Sequence, residues 1–233
     1  MSAAPGAVLL DALGTLVTFA PPAPRLRALL AERHGVGVTL DEAQAAMRAE
    51  IAHYRRHHDR AVDAASLAAL RRECAAVLRD ALPPAARDAV SADALVPTLL
   101  DAIAFSAYPE AAEVLDALRG RGHPLAVVSN WDVSLHGVLR DTGLAGRVDV
   151  VVTSAELGAA KPDPAPLRAA LRALGAPAAG ARHVGDTPSE DVAAARAAGV
   201  EPVLVVRDGA APPPGVRAIR DLRGLLDAPA ALR

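Results

Sequence analysis

Apolar residues along the chain follow two alternating patterns: short continuous runs, and longer stretches in which they recur at helical spacing. The short runs predict buried strands at 7–11, 124–129, 148–153, 181–185 and 202–206. Helical stretches, several of them bounded by Pro or Gly, are predicted at 109–121, 132–141, 164–174, 188–199 and 218–227. Strands that are apolar throughout and alternate with helices are typical of an α/β protein, whose parallel sheet carries helices on both faces.

The stretch between about 17 and 105 has helical patterns and no strand pattern. A loop of nearly 90 residues is too long for a compact domain. We therefore predict an all-helical domain at 17–105, inserted into a core domain that is formed by 1–16 and 106–233.

Composition and charge narrow the classes of partner. Apolar residues make up 52% of the 233, the formal net charge is −2 and the pI is near 6.4, so bulk electrostatics favour neither nucleic acid nor a membrane surface. The single cysteine, Cys74, fits a reducing compartment. No apolar run approaches the roughly 20 residues that span a bilayer, and the start of the chain lacks the charged region of a signal peptide. We expect a cytoplasmic protein, either a monomer or a homodimer.

The basic residues are unevenly divided between arginine and lysine. The chain contains 24 arginines and one lysine, Lys161. A lysine in such a background indicates a place where a compact ammonium fits and a planar guanidinium does not.

Polar residues stand where several of the predicted strands end. Asp11 ends the first strand, Ser129 ends the strand at 124–129, and Asp186 follows the strand at 181–185, while Lys161 lies in a later loop. Ligands of open parallel sheets bind outside the carboxyl ends of the strands. We therefore expect these side chains to converge on one crevice.

The types of these side chains indicate phosphoryl transfer. Asp11, Asp186 and Asp191 offer hard oxygen ligands of the kind that Mg²⁺ prefers. A metal ion and an ammonium screen the repulsion between a carboxylate nucleophile and an anionic phosphate, and Ser129 can hold a further oxygen. The set predicts catalysis through an aspartyl intermediate at Asp11.

Four segments in the same order resemble the motifs of the haloacid dehalogenase-like (HAD) hydrolase superfamily. They are DALGTL (11–16), VVSN (127–130), KPDP (161–164) and GDTPSED (185–191). The helical insert between the first two resembles the C1 cap of subfamily I. The resemblance implies a Rossmann-like core with a C1 cap, and hydrolysis of a small phosphorylated metabolite with Mg²⁺.

The resemblance also implies roles for individual residues. Asp11 is the expected nucleophile, and Ser129 and Lys161 are the other expected catalytic residues. The implied phosphate-binding residues are Gly14, Thr15, Ser129, Asn130 and Lys161. The implied Mg²⁺ ligands are Asp11, Asp186, Asp191 (directly or through water) and the backbone carbonyl of Leu13.

Leu13 departs from the family pattern, because phosphatases of this family usually carry a second Asp there as general acid and base. Loss of such a group costs on the order of 10²–10⁴-fold in rate. Family members with other residues at this position include dehalogenases, phosphonate hydrolases and ion pumps. The insert has no lysine for phosphonate chemistry, GDTPSED keeps an acid pair that the dehalogenases lack, and the pumps are membrane proteins.

Three readings of function follow. The leading one is a phosphohydrolase with a weakened proton-transfer step, or one whose substrates carry good leaving groups. The second is a binding or regulatory protein of the HAD fold with weak or no catalysis. The third is a 2-haloacid dehalogenase.

The helical insert contains one further candidate cluster, formed by His53, His57 and His58. His53 and His57 are four residues apart and so share a helical face. A solvated face, contacts to an anionic substrate, a supplied proton and zinc binding all stay open as readings of this cluster.

Overall fold

The computed structural model describes residues 5–207 and 209–227. The chain divides into two compact units. One unit joins the residues up to Thr18 with those from Ser106 onward, and the other runs from Phe19 to Phe105. None of the described helices is both long and apolar enough to cross a bilayer.

The regular elements are as follows. The strands of the described chain are β1 (Val8–Leu10), β2 (Val17–Phe19), β3 (Phe105–Ala107), β4 (Leu125–Ser129), β5 (Val150–Thr153), β6 (Arg182–Gly185), β7 (Glu201–Val205) and β8 (Arg217–Ile219). The α-helices are α1 (Pro22–His34), α2 (Leu40–His57), α3 (Ala64–Asp80), α4 (Pro84–Ala89), α5 (Ala92–Ala102), α6 (Ala111–Gly120), α7 (Leu135–Asp141), α8 (Ser154–Leu157), α9 (Ala165–Leu174) and α10 (Ala193–Ala198). Short 3-10 turns cover His58–Arg60, Ala145–Arg147 and Leu222–Leu225, and a π-helical turn covers Pro188–Val192.

A six-stranded sheet in the order β5-β4-β1-β6-β7-β8 forms the centre of the first unit. Every neighbouring pair in it is parallel. β1 lies between β4 and β6, so Leu10 pairs with both Val127 and Val184. The predicted α/β, Rossmann-like fold is confirmed, and the carboxyl ends of these three strands meet at one edge.

Burial on both faces explains why the strand sequences are apolar throughout. Leu9 packs in one cluster with Leu167 of α9 and Ala194 of α10. Val8 and Leu10 point to the opposite face by strand alternation, and they are also buried. Both faces of the sheet are therefore covered, as the run of apolar residues in β1 predicts.

The second unit consists of the helices α1 to α5. Its core is the cluster of buried Leu, Ala, Val, Met and Cys side chains from these helices and their connections. Local sequence determines where two of the helices begin. Thr39 and Glu42 form a reciprocal capping box at the start of α2, and Asp63 and Ser66 form another at the start of α3.

The helix predicted at 218–227 is wrong. Residues Arg217–Ile219 form β8, which pairs in parallel with β7, and Leu222–Leu225 form a 3-10 turn. Ile219 is buried in the strand, and Asp221 starts the turn by accepting a hydrogen bond from the Arg223 backbone. Pairing with the sheet edge overrides local helical spacing in so short a segment.

The strands β2 and β3, which the sequence patterns did not predict, pair with each other. Each has three residues, too few to show an alternation. The rings of Phe19 and Phe105 meet edge to face with their centroids 5.7 Å apart. The two connections between the units therefore run side by side as strands.

Two predicted helix starts also differ from the structure. The helix predicted at 132–141 begins later, at Leu135, and Asp132 Oδ1 accepts a hydrogen bond from Ser134 N in the turn that precedes it. The helix predicted at 188–199 is divided into the π-helical turn Pro188–Val192 and α10. The turn contains Asp191, whose placement matters for the site.

Candidate active site

Asp11 lies directly after β1, in a tight turn that follows the strand. Its backbone N–H donates to Val184 O of β6 at 2.8 Å. Gly14 adopts φ +80°, a left-handed conformation that favours glycine, and its N–H donates to Val17 O. The chain therefore reverses direction within the segment 11–17.

The two carboxylate oxygens of Asp11 have different surroundings. Oδ1 accepts hydrogen bonds from Ser129 Oγ at 3.0 Å and from Lys161 Nζ at 2.7 Å. No described residue donates to Oδ2. Asp11 is only 7% exposed, so its carboxylate is held in one orientation with one oxygen left available for chemistry.

Lys161 is the centre of the polar network. Its Nζ donates to Asp11 Oδ1, to Asp191 Oδ1 at 2.6 Å and to Val128 O at 2.9 Å. The residue is 3% exposed, and three acceptors use the three protons of its ammonium. This geometry supports the interpretation that the single lysine occupies a place that arginine cannot take.

Asp191 and Asp186 lie beside this network and differ in their burial and in their hydrogen bonds. Asp191 Oδ1 also contacts His183 Nε2 at 3.0 Å, while its Oδ2 accepts from the backbone N–H of Thr187 at 2.9 Å. Asp186 is exposed, and its Oδ1 accepts from Thr187 Oγ1 at 3.1 Å. Asp191 is thus fixed by the protein, whereas Asp186 faces solvent.

Burial and charge shift the pKa values of these groups in different directions. Burial raises the pKa of Asp11 to about 6, although the ammonium of Lys161 opposes the shift. Burial and the charge of Asp191 raise the pKa of Asp186. Burial works against the charged form of Asp191, but the hydrogen bond with His183 and the charge of Lys161 outweigh it and lower its pKa.

Lys161 remains charged in spite of its burial. Burial alone lowers the pKa of an ammonium, but Asp11 and Asp191 outweigh this effect and leave the pKa of Lys161 above its ordinary value. At neutral pH the carboxylate of Asp11 is therefore mostly ionised beside a permanent cation. A charged carboxylate with one free oxygen can act as a nucleophile.

The three acids form a group that fits a hard divalent cation. Carboxylate oxygens of Asp11, Asp186 and Asp191 all lie within 4.8 Å of one another. A Cβ built on Gly14 would overlap Asp186 Oδ2, so the turn after Leu13 lies directly against this acid. The donor set and the close backbone both suit Mg²⁺, which prefers oxygen ligands and few carboxylates.

Asn130 and Thr15, which the resemblance placed among the phosphate-binding residues, have other contacts in the structure. Asn130 Oδ1 accepts from Lys161 N, and its Nδ2 donates to Lys161 O and to Glu190 Oε2, each at 2.8 Å. Thr15 is fully buried, and its Oγ1 has no hydrogen-bond partner in the described part of the chain. Their roles in phosphate binding stay predictions.

Sequence reasoning missed two residues that contact the site. His183 lies in β6 and contacts Asp191. Its position as a polar residue within an apolar strand was the signal that could have identified it. Arg207 follows β7 and donates to the backbone carbonyls of Gly14 and Thr15. It is the first polar residue after an apolar strand, so the reasoning that found Asp11 applies to it equally.

The histidine cluster of the helical unit lies on α2 and the turn after it. The His53 and His57 rings are 4.5 Å apart, and His53 Nε2 lies 3.4 Å from Glu73 Oε2. Within residues 5–207 and 209–227, the group of three potential metal ligands contains Asp11, Asp186 and Asp191 and none of these histidines. The zinc reading therefore has no third ligand in place.

Comparisons with known proteins agree with this geometry. The sequence model of the haloacid dehalogenase-like hydrolases matches residues 5–199. A phosphoglycolate phosphatase from Rhodospirillum rubrum is 47% identical over 105 residues, which is 45% of this chain and 43% of that protein. The chain spans about half of the length of this relative and of other curated relatives that it matches.

Solved structures resemble the chain over nearly its full length. The crystal structure of a HAD phosphatase from Thermococcus onnurineus has a TM-score of 0.64 and 25% identity, and the match covers 94% of this chain and 95% of that one. A 2-haloacid dehalogenase from Pseudomonas syringae has a TM-score of 0.66 and 25% identity, with 95% and 96% covered. Proteins named for two different reactions therefore share this architecture.

Proposed function

Since the chain belongs to the haloacid dehalogenase-like hydrolases, we propose that it is a Mg²⁺-dependent phosphohydrolase that acts on a small phosphorylated metabolite through Asp11. One observation carries the proposal: Asp11 is bound at Oδ1 by Ser129 and Lys161 and lies beside Asp186 and Asp191. Curated relatives named phosphoglycolate phosphatase and phosphoserine phosphatase support the substrate class.

The residues around Asp11 have distinct roles in this proposal. Asp11, Asp186 and the Leu13 carbonyl would hold Mg²⁺, with Asp191 as a ligand directly or through water. Bound there, Mg²⁺ would neutralise part of the charge of the phosphate ester. Ser129 and Lys161 orient Asp11, and each would exchange one of its present hydrogen bonds to donate to a phosphoryl oxygen. Gly14, Thr15 and Asn130 shape the loops around them.

The reaction has two steps at the same carboxylate. Asp11 Oδ2 attacks phosphorus and the bond from phosphorus to the leaving oxygen breaks. The leaving oxygen departs as an anion where it is stable, and otherwise takes a proton from solvent. Water then attacks the aspartyl-phosphate, which releases inorganic phosphate and restores the carboxylate of Asp11.

Leu13 determines which substrates suit this site. A leucine side chain can neither protonate the leaving oxygen nor activate water. Acyl phosphates and activated aryl phosphates have leaving groups that depart unprotonated, so they need no acid. We therefore expect them to react faster than alkyl phosphates, with the breakdown of the aspartyl-phosphate as the slow step.

An assay of the purified protein tests the proposal. Acetyl phosphate, p-nitrophenyl phosphate and 2-phosphoglycolate are incubated with the protein and Mg²⁺, with Asp11→Asn as the matched control. We expect turnover that needs both Mg²⁺ and Asp11. If no substrate reacts faster with the wild type than with Asp11→Asn, the proposal is wrong.

A single-turnover experiment tests the covalent step separately. Acetyl [³²P]phosphate is mixed with excess protein, the reaction is quenched with acid, and label on the protein is counted. We expect label that is absent from Asp11→Asn and that survives acid but not hydroxylamine, as an acyl phosphate does. An active enzyme that never carries label would contradict nucleophilic attack by Asp11.

Dehalogenation is the second candidate function, because the fold matches a 2-haloacid dehalogenase as well as a phosphatase. The acid pair Asp186 and Asp191 favours the phosphatase. Halide release from 2-chloropropionate in the presence of EDTA would favour the dehalogenase instead. A folded protein that binds phosphorylated ligands but performs neither reaction would support the binding or regulatory reading, which Leu13 motivates.

The assignment of the helical unit as a C1-type cap also stays a proposal. To test the assignment, the helical unit is replaced by that of a relative with known specificity. A chimera that takes on the substrate preference of that relative would support the assignment.

A further inference from the structure

Arg207 makes an unusually complete set of contacts for a residue at the end of a strand. Its Nε donates to Gly14 O at 3.1 Å, its Nη2 to Thr15 O at 2.9 Å, and its Nη1 to Glu110 Oε1 at 2.8 Å. The guanidinium carbon also lies 3.3 Å from the ring centroid of Tyr108. All three nitrogens of the guanidinium and one of its faces are therefore used.

Two of these contacts reach the segment that carries the nucleophile. Gly14 and Thr15 follow Leu13, whose carbonyl is a proposed Mg²⁺ ligand, and Asp11 lies three residues before Gly14. Gly14 is packed so closely against Asp186 that a Cβ would overlap it. A shift of this turn would therefore displace the Leu13 carbonyl and Asp186 together.

The other two contacts fix Arg207 itself. The Glu110 side chain is 5% exposed. Burial works against its charge, but hydrogen bonds from its own backbone N–H and from Arg207 outweigh it and leave its pKa below the ordinary value. Tyr108 N donates to Leu16 O at 3.0 Å, so the segment that anchors Arg207 is also bonded to the nucleophile turn.

We propose that Arg207 is a positioning residue, which holds the Leu13–Thr15 turn in the geometry that Mg²⁺ binding and attack by Asp11 require. A guanidinium suits this role because its planar fork reaches acceptors in three directions, whereas an ammonium is a point charge. The inference deepens the proposed function and rests on it where metal binding and catalysis are concerned.

Two measurements test the role of Arg207 without relying on phosphatase activity. Hydrogen exchange of peptides covering 11–18 reports the order of the turn in metal-free protein, and electron paramagnetic resonance with Mn²⁺ as the probe reports metal affinity. The variants are Arg207→Met, Arg207→Lys and Glu110→Gln. Arg182→Met is the matched control, because Arg182 is equally exposed at 24% and pairs with Glu201 at the amino end of β6, away from the site.

In Arg207→Met we expect faster hydrogen exchange over 11–18 and a Mn²⁺ affinity that is about 10–100-fold weaker. This is the loss that is typical when a group that orients a metal ligand is removed. Arg207→Lys should lose nearly as much Mn²⁺ affinity and order of the turn as Arg207→Met, and Glu110→Gln should lose less of both. Arg182→Met should change neither measurement.

Folded Arg207→Met and Arg207→Lys proteins with wild-type exchange and affinity would overturn the inference, as would equal losses in Arg182→Met. If Arg207→Met does not fold, the test rests on Arg207→Lys and Glu110→Gln. Wild-type exchange and wild-type Mn²⁺ affinity in both of these variants would overturn the inference. Wild-type protein that hydrolyses no phosphate would refute the proposed function alone, because exchange of the turn is measured without metal or substrate.

Discussion

Lys161 Nζ lies 2.7 Å from Asp11 Oδ1, and this buried pair links the loop after α8 to the carboxyl end of β1. The ammonium has a second carboxylate partner in Asp191 and a backbone partner in Val128. Three acceptors lie at 2.6 to 2.9 Å around one nitrogen, and a guanidinium nitrogen has at most two protons to donate, whereas an ammonium has three. Electrostatics requires a cation here, and the number of acceptors around one nitrogen favours lysine over arginine.

Lys161→Arg is therefore expected to lose at least about 10²-fold in kcat, comparable to the loss of a preorganised donor. Lys161→Met should lose as much, because each substitution leaves Asp11 and Asp191 without their shared ammonium. Steady-state kinetics with acetyl phosphate measures the effect. Arg223→Lys, in an exposed ion pair with Glu113, is the control and should be neutral. Wild-type kcat in Lys161→Arg would contradict the argument.

The sequence indicated where these side chains lie, for a physical reason. Strands buried on both faces read as continuous apolar runs, so the end of each run locates the edge where Asp11, Ser129 and Asp186 lie. The composition pointed to Lys161 independently, because one lysine among 24 arginines needs a cause.

Other features could not be predicted because they depend on tertiary contacts. β8 is a three-residue strand that exists through its pairing with β7, and its local spacing resembles a helix. His183 and Arg207 stand out as polar residues in or just after an apolar strand, but their partners lie 8 and more than 190 residues away in sequence and cannot be identified from local sequence.

Gly14→Ala is expected to impair the metal site more than backbone strain alone would explain. Gly14 and Gly122 have nearly the same φ, +80° and +82°, so alanine costs each about 1–2 kcal/mol of conformational strain. At Gly14 the added Cβ would also overlap Asp186 Oδ2, whereas at Gly122 the nearest atom, of Pro5, is 3.6 Å away.

Thermal unfolding and Mn²⁺ titration separate the two effects. Both variants should lose stability, but only Gly14→Ala should bind Mn²⁺ about 10–100-fold more weakly. Equal affinities in the two variants would show that the turn does not shape the metal site.

The buried Glu50 in the helical unit predicts a pH-dependent stability. Burial raises the pKa of Glu50 above 4.5, although a hydrogen bond with Cys74 opposes the shift. The folded protein then binds more protons than the unfolded chain between the two pKa values, so the free energy of unfolding falls as pH rises through that interval. Its Oε2 is buried with no partner among the described residues, so ionisation there is costly.

Glu50→Gln should remove this dependence. The variant should melt at a higher temperature than the wild type at about pH 8, with a smaller difference at about pH 4.5, which lies below the raised pKa of Glu50. Glu32→Gln, at an exposed position of α1, is the control and should match the wild type at both values. A Glu50→Gln difference that is the same at both pH values would contradict the burial argument.

Leu13→Asp should supply proton transfer at a site where the proposed nucleophile, Asp11, and the proposed Mg²⁺ ligands Asp186 and Asp191 are already close together. Leu13 is half-buried in the turn between Asp11 and Gly14, so a carboxyl there would lie two residues from the nucleophile. For alkyl phosphates such as 2-phosphoglycolate, kcat should rise by about 10²–10⁴-fold. For acetyl phosphate, whose leaving group needs no proton, the release step should change little, and any gain should come from faster hydrolysis of the aspartyl-phosphate. Leu13→Asn has the same shape without the acid and should not exceed the wild type; a gain as large as that of Leu13→Asp would mean that relief of steric hindrance, and not proton transfer, limits the natural enzyme.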